Sequence, residues 1–201
     1  MIYATLSDVR ARIMTPGPTG ATAEWTRRML HFVPDLPVVA DRARYLAEKA
    51  AGEVVLDLGC AGPISEGIRL AARGYYGVDR VAGPNVTAVL DLDATPDALP
   101  VYPDVTLLVA AELLEHLANP GRFLLALRAA YPGLPMWVSV PNAGVYRMHN
   151  GTHEEVNAEH VAWYSYTTLS TLLRRTGYTL DVVRWYNGQP HTAEGLVARV
   201  R

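Results

Sequence analysis

From residue 53 onward, short apolar runs alternate with amphipathic stretches. "EVVLDLG" (53–59) predicts a buried strand that ends in a glycine turn, and "SEGIRLAARG" (65–74) predicts a helix closed by Gly74. "YYGVD", "NVTAVLDLD" (85–93), "VTLLVAA" (105–111) and "PMWVSVPN" (135–142) predict four more strands, with a helix over "GRFLLALRAAY" (121–131) before the last of them. "SYTTLSTLLRRTG" (165–177) predicts a helix with Gly177 at its carboxyl end, and "YTLDVVRWY" and "EGLVARVR" predict two final strands. Upstream, "MTPGPTG" (14–20) is a Pro/Gly loop that separates a short N-terminal helix from a second helix over "ATAEWTRRMLHFV". After the break "PDLP", "VVADRARYLAEKA" (38–50) predicts a third.

Strand and helix alternating in this way predict an α/β three-layer sandwich, a mostly parallel sheet with helices on both faces. Ligands of such sheets bind beyond the carboxyl ends of the strands, where the strand order reverses. The short connection "NGQPHTA" permits a hairpin between the last two strands, which makes them antiparallel.

A chain of 201 residues suits one such domain, with residues 1–50 as a helical extension that covers substrate and 51–201 as the sheet domain. Eighteen basic against 20 acidic residues give a formal charge of −2, so the total carries no footprint of nucleic-acid binding. Arginines dominate the basic set, which leaves room for a local patch. The single cysteine, Cys60, excludes an internal disulfide and fits a reducing compartment. No run reaches the roughly 18 apolar residues of a membrane span, and the first residues lack a signal peptide's basic start and apolar core. A cytoplasmic protein is expected.

The cofactor end of the sheet is suggested by "VVLDLGCAGP" (54–63), a strand, a turn and a helix that let a ligand approach the backbone at Gly59. Asp79, 20 residues further, closes the next strand, where an acid can accept hydrogen bonds from ribose hydroxyls. A dinucleotide turn G-x-G-x-x-G would require glycines where Ala61 and Ile64 stand, so a pyrophosphate site is disfavoured. The plainer alternatives are turn glycines at 59 and 62, a strand-end cap at Asp79, and a loop role for Asp91, with Asp93 able to serve in its place.

"VAAELLEHLANP" (109–120) sets two carboxylates and an imidazole at the end of a buried strand. If the segment is helical from about Glu112, spacings of three and four place Glu112, Glu115 and His116 on one face. Those are three metal ligands, and His160 in "EHVAWYSYTTL" is a candidate fourth. His116 acting alone as a base, with no metal, is the competing reading. In the plainest one, Glu115 and His116 only brace a turn.

These motifs resemble the class I S-adenosylmethionine-dependent methyltransferases over residues 50–201: "LDLGCAG", "YGVD", "DLDATPDALP", the strand before "ELLEHLANP", "VSVPN" and "EHVAWYSYTTLSTLLRRTGY". The resemblance implies a Rossmann-like, seven-stranded sheet whose antiparallel last strand is inserted beside the fifth. It implies that Asp57 and Gly59 adjoin the methionine part of the cofactor, that Asp79 binds its ribose and that Asp91 and Leu92 meet the adenine, with Cys60, Ala61 and Arg80 among the cofactor-binding residues. Ala61 and Pro63 depart from the usual glycines. The E-x-x-E-H spacing with a later histidine is similar to ubiquinone-biosynthesis O-methyltransferases and small-RNA 3′-end 2′-O-methyltransferases. In those branches the equivalent residues hold a divalent metal, which implies magnesium, manganese or zinc at Glu112, Glu115, His116 and His160.

The function expected is methyl transfer to a hydroxyl oxygen of a small-molecule acceptor, with Glu115, His116 and His160 as catalytic residues. Its rivals are an RNA 2′-O-methyltransferase, a non-catalytic cofactor-binding regulator and a nucleotide-dependent oxidoreductase. Residues 144–160, which include His149 and His153, are expected to help cover the substrate. Cys60 is expected to pack inside the turn, and Trp25, Trp163 and Tyr164 either to line an acceptor pocket or to join the core. His31 and His191 have no assigned partner.

Overall fold

The computed structural model describes residues 35–143, 159–188 and 193–201. The two helices expected before residue 34, most of the expected substrate cover at 144–160, and Trp25, His31, His149, His153 and His191 lie outside them. Contacts divide the chain into Met1–Val33 and Pro34–Arg201, and every described residue belongs to the second unit.

That unit is built on one sheet. Its strands are β1 (Val38–Val39), β2 (Val54–Leu58), β3 (Gly74–Asp79), β4 (Ala88–Val89), β5 (Leu107–Ala111), β6 (Met136–Pro141), β7 (Leu180–Tyr186) and β8 (Gly195–Val200). They lie in the order β1-β7-β8-β6-β5-β2-β3-β4. β8 is antiparallel to both neighbours, β6 and β7, and every other pair is parallel. The insertion of the last strand between its predecessor and β6 is as the family resemblance implies. β1, paired with Trp185 and Tyr186 of β7, raises the expected seven strands to eight.

The helices are α1 (Arg42–Ala50), α2 (Ile64–Ala71), α3 (Pro120–Ala130) and α4 (Tyr166–Arg175). Because strand side chains alternate, each strand feeds two cores. Leu56, Leu108, Val138 and Leu196 meet Phe123, Leu127, Leu169 and Leu173 of α3 and α4 on one face. Val55, Val109, Trp137 and Val197 meet Leu46 of α1 and Ile68 of α2 on the other. Residues 35–50 therefore supply a strand and a covering helix to the sheet unit.

Two expected elements differ. The helix expected from Val38 starts at Arg42, because Asp41 caps it, its side chain accepting from Arg44 N at 3.0 Å, while the β-branched pair before it joins the sheet. The strand expected over 85–93 shrinks to Ala88–Val89, because Asp91 Oδ1 accepts from Asp93 N at 2.9 Å and Ala94 N at 3.0 Å and turns the chain. The end of α4 is as read: Ser165 and Thr168 form a capping box at its start, and Gly177 follows it with φ +87°. Among the described residues no helix is long and apolar enough to cross a membrane.

The strand order reverses beside β2. The chain runs outward from β2 to β3 and β4, then returns to β5 on the other side. A crevice is expected beyond the carboxyl ends of β2, β3 and β5, and the candidate site lies there.

Candidate active site

A cavity of about 580 Å³ opens at that reversal, lined by the turns after β2, β3, β4 and β5. Gly59 follows β2 with φ +80°, and its N–H donates to Val78 O at 2.8 Å. A side chain here would be strained, and its Cβ would press Leu113 Cδ1 at 3.1 Å. Ala61 N donates to Asp79 Oδ2 at 2.9 Å, and Val81 N to Asp79 Oδ1 at 3.0 Å. Two backbone amides thus fix the Asp79 carboxylate against the glycine turn, with lone pairs left toward the cavity it lines. Ala61, Arg80, Asp91 and Leu92 line the same cavity. The N–H groups of Ala94 and Asp93 hold the Asp91 carboxyl below the usual range.

Asp57 and Cys60 sit beneath this surface. Asp57 is 1% exposed; its Oδ2 accepts from Tyr75 OH at 2.9 Å, and its Oδ1 has no partner among the described residues. Burial pushes its carboxyl up to about 6. Cys60 is a packing residue, as expected: its Sγ contacts Asn85 O at 3.4 Å and burial pushes the thiol up to about 12.

The expectation of a helix from Glu112 is corrected. Glu112 has φ +53°, a single 3₁₀ turn spans Leu114–His116, and α3 starts only at Pro120. Backbone reversal at Glu112, not a shared helical face, therefore decides where the three side chains go. Glu112 goes toward α1. Its Oε1 accepts from Arg42 Nη1 at 2.7 Å, Ser139 Oγ at 3.0 Å and Tyr186 OH at 3.0 Å. Arg42 in turn lies over the Tyr186 ring at 4.4 Å and donates to its hydroxyl at 2.6 Å. Arg42 lines the cavity, and its buried Nε has no partner among the described residues.

The following turn brings the other groups together. The ligand atoms of Glu115, His116 and His160 lie within 4.8 Å of one another, and Glu112 is not in that group. The join is made by the backbone: Glu115 O accepts from Val161 N at 2.8 Å and Ala162 N at 3.1 Å, which seats the His160 segment on the turn. The two imidazoles stand edge to face at 4.8 Å, and Trp163 packs edge to face on His160 at 5.4 Å. Tyr164 is core and braces the turn through Leu114 O at 3.3 Å. Glu115 is 1% exposed, and neither carboxylate oxygen has a hydrogen-bond partner among the described residues. Burial, then the Glu112 charge, pushes its carboxyl up to about 8. His160 Nδ1 is likewise buried and unpartnered, and burial followed by His116 lowers the His160 pKa, favouring the neutral ring.

A buried carboxylate with both oxygens unsatisfied is costly unless something outside the described residues partners it. One carboxylate and two imidazoles are a donor set suited to a divalent ion, so these residues fit the metal that the sequence pattern suggested. At the rim, Glu159 Oε2 lies 3.9 Å from His116 Nδ1 and 3.7 Å from Arg80 Nη2. The sequence pattern did not single out Arg42, Ser139, Tyr186 or Glu159. The first three reach Glu112 from 27 to 74 positions away, and no local spacing signals such contacts.

The sheet order, the glycine turn and the acid that closes β3 define an α/β fold with a cavity at the strand reversal. Residues 29–183 match the sequence profile of the family described as the methyltransferase domain, and the chain belongs to that family. It is an S-adenosylmethionine-dependent methyltransferase. A search of curated proteins found no significant match.

Solved structures share the fold at low identity. One is 1,6-didemethyltoxoflavin-N1-methyltransferase of Burkholderia thailandensis, solved with 1,6-didemethyltoxoflavin and S-adenosylhomocysteine bound; it has 14% identity and a TM-score of 0.59 over 100% of this chain and 92% of that one. The small RNA methyltransferase HEN1 aligns with 15% identity and a TM-score of 0.61 over 80% of this chain but 24% of its own. An S-adenosylmethionine-dependent methyltransferase of Mesorhizobium loti aligns with 18% identity and a TM-score of 0.54 over 79% of this chain and 95% of that one.

Proposed function

We propose that the protein transfers the methyl group of S-adenosylmethionine to a hydroxyl oxygen of a small-molecule acceptor, with a divalent ion held by Glu115, His116 and His160. The observation that carries this reading is the unpartnered, buried Glu115 carboxylate beside two imidazoles at the cavity's edge. A divalent ion there supplies positive charge that lowers the pKa of a nearby hydroxyl. His160, with a lowered pKa and an unpartnered Nδ1, is a neutral imidazole suited to be a ligand or to accept a proton at that atom.

For the cofactor, Asp79 takes the ribose hydroxyls, its carboxylate already oriented by Ala61 and Val81. Asp91 and Leu92 border the adenine, and the turn at Gly59 admits the methionine part. Arg42 suits the methionine carboxylate, since it lines the same cavity as Gly59 and carries a positive charge there. Glu112 keeps that guanidinium in place and is a cofactor-side residue in this reading, not a metal ligand.

A small acceptor is favoured over RNA because, among the described residues, Arg42, Arg80 and Arg122, around the cavity and in the elements beside it, each lie within ion-pair distance of a carboxylate. The formal charge of −2 points the same way. The test is methyl transfer from labelled S-adenosylmethionine to panels of phenols, aliphatic alcohols, amines and short RNAs, with and without a chelator. Methylation of amines alone, or no loss on chelation, would overturn the corresponding half of the reading.

A further inference from the structure

Two loops wall the cavity: the loop after β4, through Asp91, Leu92 and Asp93, and the turn after β5, through His116 and Leu117. They are 25 residues apart in sequence, yet one carboxylate joins them. Asp93 Oδ2 accepts from Ala118 N and Asp93 Oδ1 from Asn119 N, each at 3.0 Å. These amides lie just before α3, where backbone donors have no intrahelical acceptor, and Pro120 brings none of its own. Arg122 of α3 adds two more ties, from Nη1 to Ala94 O at 3.3 Å and from Nη2 to Asp97 Oδ2 at 2.6 Å.

We propose that Asp93 is a positioning residue that couples the adenine-side loop to the His116 turn, so that a bound cofactor sets the placement of His116. The proposal rests on the cofactor reading given above. A carboxylate gripping two consecutive amides with separate oxygens transmits displacement in both directions along and across the loop, which a single hydrogen bond does not. Ala118 is two residues from His116, and Asp91 is two residues from Asp93. A shift of the adenine loop therefore reaches the turn that carries the imidazole through Asp93, beside the ties that Arg122 makes to Ala94 and Asp97. A simple helix cap would stabilise α3 and transmit nothing. What separates the two roles is whether the response of His116 to cofactor depends on Asp93.

The test is nuclear magnetic resonance of the full chain at fixed pH, with and without saturating S-adenosylhomocysteine. In the unmodified protein, the cofactor product is expected to move the amide resonances of Gly59 and Ala61 and also those of Ala118 and Asn119 with the His116 ring signals. In Asp93→Ala the second group is expected to move at least fivefold less, while the first still responds. Asp93→Asn, which keeps the shape and one acceptor oxygen, is expected to fall between, and it decides the matter alone if the alanine variant does not fold. Equal movement at His116 in the unmodified protein and Asp93→Asn would overturn the coupling and leave the cofactor reading standing. Absence of S-adenosylhomocysteine binding to the unmodified protein would overturn the cofactor reading, and the coupling with it.

Discussion

Arg42 at the start of α1 and Glu112 at the end of β5 form an ion pair of 2.7 Å at the cavity wall, with the guanidinium resting on Tyr186. The pair links a helix on one face of the sheet to the strand end where the methyl-transfer chemistry is proposed. Arg42→Ala is expected to weaken S-adenosylhomocysteine binding about tenfold or more, since a hydrogen bond to a charged group contributes about 1.5–3 kcal/mol. Arg42→Lys should recover only part of the loss, because an ammonium cannot reproduce the planar fork that meets Glu112 and lies on Tyr186. Calorimetric titration checks both, and equal affinities for all three proteins would remove Arg42 from the cofactor site.

Asp79 has two tasks in the structure, holding the Ala61 and Val81 amides and facing the cavity. Asp79→Asn keeps one acceptor for those amides but loses the charge, whereas Asp79→Ala loses both. The expected order of cofactor affinity is unmodified, then Asn, then Ala, with the alanine variant at least tenfold weaker than the unmodified protein. Identical calorimetric affinities would assign Asp79 to the turn alone.

Gly77 lies in β3 against the loop that leads from β3 to β4. A Cβ there would collide with the Asn85 carbonyl and stand 2.7 Å from Cys60 Sγ, both of them buried. Gly77→Ala is therefore expected to cost about 1–3 kcal/mol through overpacking. For a chain of this length that is a fall of about 2–12 °C in Tm, readable by calorimetry. A variant of unchanged Tm would mean the Asn85 loop yields freely.

Asp57 carries a pH dependence whose sign is fixed by burial. Its folded pKa is raised to about 6, so the native state holds the proton more tightly than the unfolded chain. The resulting stability is complete below the unfolded pKa near 4 and is lost as pH rises through about 6. The size is on the order of 2–3 kcal/mol. Denaturant titrations between pH 4 and 8 should show this decline, and Asp57→Asn should flatten it. A decline of the same depth in the variant would assign it to another group.

Much of this was legible in the sequence, for reasons that differ by element. β2, β5 and β6 are predominantly apolar runs, broken only by Asp57 and Ser139, because both faces are covered, and such runs read plainly as buried strands. Asp57, Gly59 and Asp79 could be singled out because a strand, a turn and an acid at fixed spacing are local signals, and Gly59 and Asp79 line the cavity. The E-x-x-E-H spacing pointed to the right neighbourhood but the wrong geometry. It assumed a 3.6-residue period, whereas the left-handed φ of Glu112, an uncommon conformation for a glutamate, is held by Ser139, Tyr186 and Arg42. No pattern within a dozen residues could report contacts from three distant elements. The short β1 was hidden for a related reason, since two residues are below any periodicity and the Asp41 cap beside them reads equally well as helix interior.

The metal half of the proposal makes the sharpest separation among Glu112, Glu115, His116 and His160. The ligand atoms of Glu115, His116 and His160 lie within 4.8 Å of one another, whereas Glu112 is engaged by Arg42, Ser139 and Tyr186. Glu115→Gln and His160→Ala are each expected to weaken manganese binding at least tenfold, and Glu112→Gln by no more than a few-fold, measured by calorimetry or electron paramagnetic resonance. The second-row effect of pH follows from Glu115, whose carboxyl is raised to about 8 by burial and then by Glu112. In the metal-free protein that proton contributes stability that is lost as pH rises through about 8, because ionising the buried carboxylate leaves it unpartnered. A divalent ion needs the ionised form, so its uptake should release a proton below about pH 8 and its affinity should climb toward that pH. Chelation should then stop methyl transfer while S-adenosylhomocysteine still binds, since none of the proposed cofactor contacts is a proposed metal ligand. Manganese binding that ignores Glu115→Gln, or a transfer rate that survives chelation and falls as a histidine protonates, would move the chemistry from a metal to His116 acting as base.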